Sequence, residues 1–198
     1  MQDRTSLGTG FTDPPVSSGL DPLPQGIGPN GGSQGVCGDI PIRIDSQGVW
    51  HYRGSPIGRK EMVCLFASVL RRMEDGSFWL VTPVESGRIE VEDAPFLAVE
   101  MFRCGLMEDQ CLSFRTNVDE IVTVDADHPL RMEIDPESGE PSPYVTVRPG
   151  LDARLVRSVY YDLVALGMER DAPEGIRYGV WSNGIFFPLG SLDDGLSS

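Results

Sequence analysis

Ile42-Arg43-Ile44-Asp45-Ser46-Gln47-Gly48-Val49-Trp50-His51-Tyr52 is the stretch on which the fold reading turns. Ile42 and Ile44 alternate with Arg43, Asp45 to Gly48 carries turn chemistry, and Val49 to Tyr52 is rich in β-formers, which together signal a hairpin. A loop with Gly54, Pro56 and Gly58 follows, then Met62, Val63, Leu65, Phe66, Val69, Leu70 and Met73 recur at helical spacing. After Asp75-Gly76, Ser77 to Thr82 and Arg88 to Val91 read as strands. The same order returns about 90 residues later, a period the size of a small domain. Met132 and Ile134 lead into a turn over residues 135–139, Tyr144 to Arg148 is the return strand, and Leu155 to Val164 repeats the amphipathic helix. Arg177 to Trp181 and Ile185 to Leu189 close a hairpin around Ser182-Asn183-Gly184. Phe96 to Met101, Cys111 to Phe114 and Ile121 to Val124 supply connecting strands. The expectation is an α+β fold, an internal duplication of a small antiparallel-sheet-plus-helix unit.

The 198 residues suffice for one ordinary domain or two small ones sharing a core. Nine Gly and five Pro fall within residues 1–38, which reads as an extended arm. Domain limits then follow at 39–95 and 96–190, with a tail over 191–198. Gly26, Gly28 and Gly31 satisfy GxGxxG, but Pro24 precedes them and Gly32-Ser33-Gln34-Gly35 follows, so the strand and helix that a dinucleotide loop needs are missing. A net charge of −14 is the wrong sign for a phosphate-backbone binder, so nucleic acid is not expected as a partner. No apolar stretch approaches the roughly 20 residues of a membrane span and no signal-peptide pattern opens the chain; a cytoplasmic protein without a membrane partner is expected. Cys37, Cys64, Cys104 and Cys111 lack metal-ligand spacing with His51 or His128 and read as buried or idle thiols.

Chemistry concentrates in few places. Arg43, Arg53, Arg59, Lys60, Arg71 and Arg72 face only Asp45 and Glu61 between residues 40 and 72, a local reversal of charge. Arg59 and Lys60 open the first helix, where backbone amides also favour an anion; a solvated helix face gives the same pattern. Thr82, Arg88, Glu92, Asp93 and Phe96 belong to the segment joining the two halves, a favoured place for a small-molecule pocket. In an 88–92 strand, Glu90 and Glu92 share a face and suit a divalent metal, acid and base work, or ion pairs with the basic segment. Asp125-Ala126-Asp127-His128-Pro129 carries metal-like letters that turn chemistry explains equally. Tyr160, Tyr161 and Trp181 are stacking candidates or core. GxSxG, HExxH and GxxxxGK[ST] are all missing, which argues against a standard hydrolase or kinase.

Ile42 to Asp45 through Gly54 to Ile57, Leu65 to Leu70, Leu80 to Glu85 and Val91 to Phe96 resemble the bacterial family called Domain of Unknown Function 1285. Val147 to Leu151 with Arg157, Tyr160 to Leu163 and Val180 to Gly184 do so too. The resemblance covers nearly everything after residue 38. It implies a duplicated α+β core, a pleckstrin-homology-like second domain, no established activity, and an interdomain pocket for a nucleotide-like ligand in signalling. The leading expectation is therefore a regulatory module holding a small anionic ligand at the domain junction, without cofactor or metal. Arg53, Arg59 and Lys60 would meet its charge, Arg148 and Arg157 assist, and Trp50, Trp79 or Trp181 stack. A metal-dependent hydrolase or lyase using Glu90, Glu92 or Asp93 is the enzyme alternative. A structural homo-oligomer is the third, since residues 84–143 hold fifteen acidic and four basic side chains to face the basic segment of another copy.

Overall fold

The computed structural model describes residues 37–134, 136, 139–173 and 175–191. The first half is one sheet. β1 (Cys37–Ile44), β2 (Trp50–Tyr52) and β3 (Ser55–Pro56) form a meander, α1 (Lys60–Ser68) crosses over, and β4 (Leu70–Arg72), β5 (Phe78–Val81) and β6 (Ser86–Val91) form a second meander. The strand order is β3-β2-β1-β6-β5-β4, with β6 parallel to β1. The β1–β2 turn follows from Asp45, whose Oδ1 accepts the backbone N–H of Gln47 and of Val49, each at 2.9 Å, while Gly48 supplies the positive φ of 71°.

The second half builds two sheets. β7 (Phe96–Cys104), β8 (Cys111–Thr116), β9 (Ile121–Thr123), β10 (Leu130–Ile134), β11 (Pro141–Arg148) and β12 (Leu151–Leu155) arrange in the order β10-β11-β12-β7-β8-β9, with β12 parallel to β7. After α2 (Arg157–Val164), β13 (Met168–Ala172), β14 (Gly175–Ser182) and β15 (Ile185–Ser191) form a separate antiparallel sheet. One apolar cluster runs through all of this, from Ile44, Trp50 and Leu70 to Phe96, Phe114, Leu151, Leu163 and Val180. The halves therefore share a core.

The expected α+β duplication is overturned: 54% of the described residues lie in strands and 13% in helices, in three sheets with two short α-helices. The apolar run Met62 to Met73 is only helical to Ser68; Leu70, fully buried, belongs to β4 and pairs with Leu80. A short apolar run fits either period, and tertiary pairing decides it. The repeat fails at the level of strand pairing. In the first half the strands before and after α1 share one sheet, whereas in the second the strands before α2 belong to the β7–β12 sheet and those after it, β13 to β15, form another. Nor is the second half a pleckstrin-homology-like barrel capped by its helix, because α2 is followed by that separate sheet. The expected strand pair at 177–181 and 185–189 lies within β14 and β15, with β13 as a further partner that the sequence pattern does not signal. The glycines of the GxGxxG pattern with nearly all of the N-terminal arm, residues 135, 137 and 138 of the second expected turn, and the tail from 192 lie outside the described residues.

Close strand packing yields a stability test. A Cβ placed on Gly179 in β14 would lie 2.4 Å from the Phe187 carbonyl oxygen. Gly179→Ala is expected to cost about 1–3 kcal/mol, since backbone must shift to admit the methyl. Gly190→Ala, with nothing within 4 Å of the added carbon, should stay within about 0.5 kcal/mol of the parent. Urea denaturation of the two variants checks both.

Candidate functional site

Arg148 ends β11, just before the Pro149-Gly150 turn that returns the chain as β12. Gly150 adopts a φ of 73°, which the tight return demands. From there the guanidinium reaches across to the first half: Nη2 donates to the Ala67 carbonyl at the end of α1 and to Glu120 Oε2, both at 3.0 Å. Its Cζ lies 5.3 Å above the buried Phe96 ring. The Nε of the same group is buried without a hydrogen-bond partner. Beside it lies a cavity of about 350 Å³, walled by Cys64, Ala67 and Ser68 of α1, by the Val118 to Glu120 turn between β8 and β9, and by Arg148 itself. Lys60, on the first turn of α1, pairs with Asp119 at 2.6 Å, and Arg115 bridges Asp119 at 3.1 Å and Glu100 at 2.7 Å. The hydrogen bond from Lys60 and the one from Arg115 hold the Asp119 carboxyl below its ordinary range. Three cations thus balance three carboxylates around the cavity.

A second cavity, about 210 Å³, has Arg72 and Phe78 from the first half, Asp93 to Pro95 from the junction, and Arg131, Tyr144 and Asp152 from the second among its walls. Tyr144 donates its hydroxyl to Asp93 Oδ1 at 2.7 Å, and Arg154 Nε pairs with Asp93 Oδ2 at 3.2 Å. Arg131 donates to Asp152 at 2.7 Å and lies 4.6 Å over the Tyr144 ring, and it also pairs with Glu133. Burial, reinforced by the hydrogen bond to the Asp93 carboxylate, pushes the Tyr144 phenol up to about 12.

Of the sequence candidates Arg148 lines the first cavity, with Lys60 paired to the wall residue Asp119 and Phe96 beneath the Arg148 guanidinium, and Asp93 lines the second. The remaining sequence candidates are dispersed. Trp50 is 2% exposed and packed against Phe66 with ring centroids 6.3 Å apart, so it offers no stacking face to solvent. Arg53 lies over Tyr52 in the β2–β3 turn, and Arg59 occupies the N-cap of α1 without a side-chain capping bond. Trp79 Nε1 donates to Ser77, and Thr82 closes a turn with Glu85. Arg88 is exposed across the ladder from Trp79, and Glu92 holds Arg43 and the Ser46 backbone N–H. Arg157 Nε donates to the Tyr161 hydroxyl at 3.0 Å, and Tyr160 is half-buried beside that ring. Trp181 packs edge-on against Phe186 with Arg170 over it. Asp125 accepts the backbone N–H groups of Asp127 and His128 as a turn residue does. Among the described residues no group of three or more His, Cys, Asp and Glu gathers as a metal site, and Glu92 and Asp93 serve separate networks. No helix among them is long and apolar enough to cross a membrane. Asp119, Glu120, Arg131 and Tyr144 were not singled out in the sequence, since turn and strand residues of ordinary type give no signal of convergence.

The raised Tyr144 phenol has a pH consequence. Its folded pKa of about 12 exceeds the ordinary 10, so the native state holds the proton longer than the unfolded chain. Stability from this group is complete below about pH 10 and is lost as pH rises toward about 12. Tyr144→Phe should remove that alkaline fall, read as unfolding midpoints between pH 9 and pH 12.

A profile described as "Domain of unknown function (DUF1285), N-terminal domain" matches residues 33–94, and one described as "Protein of unknown function (DUF1285), C-terminal domain" matches residues 95–189. The crystal structure of a DUF1285 family protein from Silicibacter pomeroyi DSS-3 is similar at 44% identity and a TM-score of 0.75, over 80% of this chain and 85% of that one. A DUF1285 family protein from Shewanella baltica OS155 is similar at 30% identity and a TM-score of 0.51, over 64% of this chain and 91% of that one. No curated protein matches. With both of its halves matched in order, and with a relative of the same description sharing most of its length, this chain belongs to the DUF1285 family.

Proposed function

We propose that the chain is a binding module for a small anionic, nucleotide-like ligand, held beside Arg148 between α1 and the β8–β9 turn. The observation that carries this reading is the unpartnered Nε of Arg148 on a guanidinium that lines a cavity of about 350 Å³. That volume falls at the lower end of small-molecule sites. A guanidinium offers parallel donors that match a carboxylate or phosphate edge, and here part of that capacity is unfilled. The surrounding charges already balance, so an incoming acid competes with Glu120 for Arg148. A ligand that also carries hydroxyl or amine donors compensates Glu120 for the loss, and a sugar phosphate or mononucleotide has both features. Because Arg148 also holds the Ala67 carbonyl, occupancy would alter how α1 is held by the second half. A cytoplasmic sensor with a role in signalling is the use such coupling suits.

The test is a thermal-melting screen with mononucleotides, sugar phosphates and organic acids. A ligand at about 100 times its dissociation constant adds roughly 2.7 kcal/mol, which raises the midpoint of a chain this size by several degrees. Arg148→Met is expected to abolish the shift measured against its own ligand-free baseline, and Arg59→Ala with Lys60→Ala to weaken it less. A shift that survives Arg148→Met removes this site, and no shift across the panel removes the reading.

A further inference from the structure

We propose that Cys104 and Cys111 form a dithiol site for reversible oxidation by low-molecular-weight disulfides, independent of the cavity beside Arg148. The two cysteines are directly opposed partners at the end of the β7–β8 ladder. Opposed residues of antiparallel strands have Cα atoms about 4.5–5.5 Å apart, inside the roughly 4.4–6.8 Å span that a disulfide accepts. They also share a face. Glu100 and Arg115, opposed further along the same ladder on the same alternation, touch at 2.7 Å, so side chains from this register do meet. Both thiols are free, Cys104 exposed and Cys111 half-buried.

The loop between them holds the pair in place. Gly105 and Met107 take positive φ values of 76° and 54°, and a Cβ on Gly105 would lie 2.5 Å from the Asp109 carbonyl oxygen, so the reversal is tight. Gln110, buried, donates through Nε2 to the Trp181 carbonyl at 2.8 Å and accepts from the Asn183 N–H at 3.0 Å. This anchors the loop to the β14–β15 hairpin immediately before Cys111.

The chemistry is thiol–disulfide exchange. The exposed Cys104 thiol loses its proton and attacks one sulfur of an external disulfide RSSR, forming a mixed disulfide and releasing RS⁻. Deprotonated Cys111 then attacks the Cys104 sulfur, forms the intrachain bond and releases the second RS⁻. The released thiolates take up the two protons. Two protein thiols are oxidised, and one external disulfide is reduced to two thiols.

The experiment incubates the reduced full chain with oxidised glutathione, alkylates the remaining thiols and digests with trypsin without reductant. Cleavage after Arg103 and Arg115 places both cysteines in one peptide, Cys104–Arg115. That peptide is expected unalkylated and lighter by two hydrogen atoms than its reduced form, and dithiothreitol should restore two alkylatable thiols. In Cys111→Ser the glutathione adduct should persist on Cys104, because nothing displaces it. The proposal is overturned if the wild-type peptide carries two alkyl groups or two glutathione adducts. It is equally overturned if Cys104 cross-links to Cys37, to Cys64 or to a second chain.

Discussion

Two parallel strand pairs impose the constraint on which the rest of the structure depends. Parallel neighbours cannot be joined by a hairpin, so the chain between them must cross over and return. Between β1 and β6 the crossover is spent on the hairpin partner β2, on α1 and on the β4–β5 ladder. Between β7 and β12 it is spent on two further ladders, and the last of these brings Arg148 to the end of β11 just before the chain turns back beside β7. The position of Arg148 is thus a consequence of the chain's return from β11 to β12 beside β7.

Besides ion pairs such as Lys60 with Asp119 and Arg154 with Asp93, two kinds of contact join the halves. The apolar cluster is shared, so neither half buries its sheet face alone. Over that core, side chains of the second half reach main-chain carbonyls of the first: Arg154 to Ser46 at 2.5 Å, Asn117 to Gly48 at 3.2 Å and Arg148 to Ala67 at 3.0 Å. Two of these carbonyls belong to the Asp45 turn. The turn is fixed locally by Asp45 and used globally as an acceptor platform. The two guanidinium donors contribute about 1.5–3 kcal/mol each where they are well buried and the neutral Asn117 amide about 1 kcal/mol, and together they set relative placement, which apolar packing alone leaves adjustable.

Local features were legible in the sequence and convergence was not. The Asp45 hairpin could be read because the turn residue and the strand alternation are both local. The helical pattern runs past the true end of α1 because Leu70 fits a helical face as well as a strand, and only pairing with Leu80 decides. The basic run between residues 40 and 72 reads as an anion site or as a solvated face, and the elements it spans point its members apart. Arg43 meets Glu92, Lys60 meets Asp119, Arg71 folds back on its own main chain, and Arg72 lies over Phe78. A sequence reports the sign of a patch, whereas partners more than forty residues away decide what remains unsatisfied. Arg148 reads as a strand-ending Arg near a Gly, which is what it is; that Glu120 and Ala67 share its Nη2 has no local sign.

Unsatisfied donors separate Arg148 from the other candidates. Trp50 Nε1 and His51 Nδ1 are also buried without partners. Trp50 is sealed in the core, and His51 is already held through Nε2 by Asp45 at 2.8 Å. Neither lines either cavity, so a ligand there reaches neither. Arg148 combines the orphan donor with a cavity wall. Glu120 and the Ala67 carbonyl are committed to Nη2, and Asp119 to Lys60 and Arg115. Arg148 thus joins the two halves through Nη2 while its Nε, on the same guanidinium, has no hydrogen-bond partner, and no other residue combines a cross-link between the halves with an unpartnered donor and a cavity wall among the described residues.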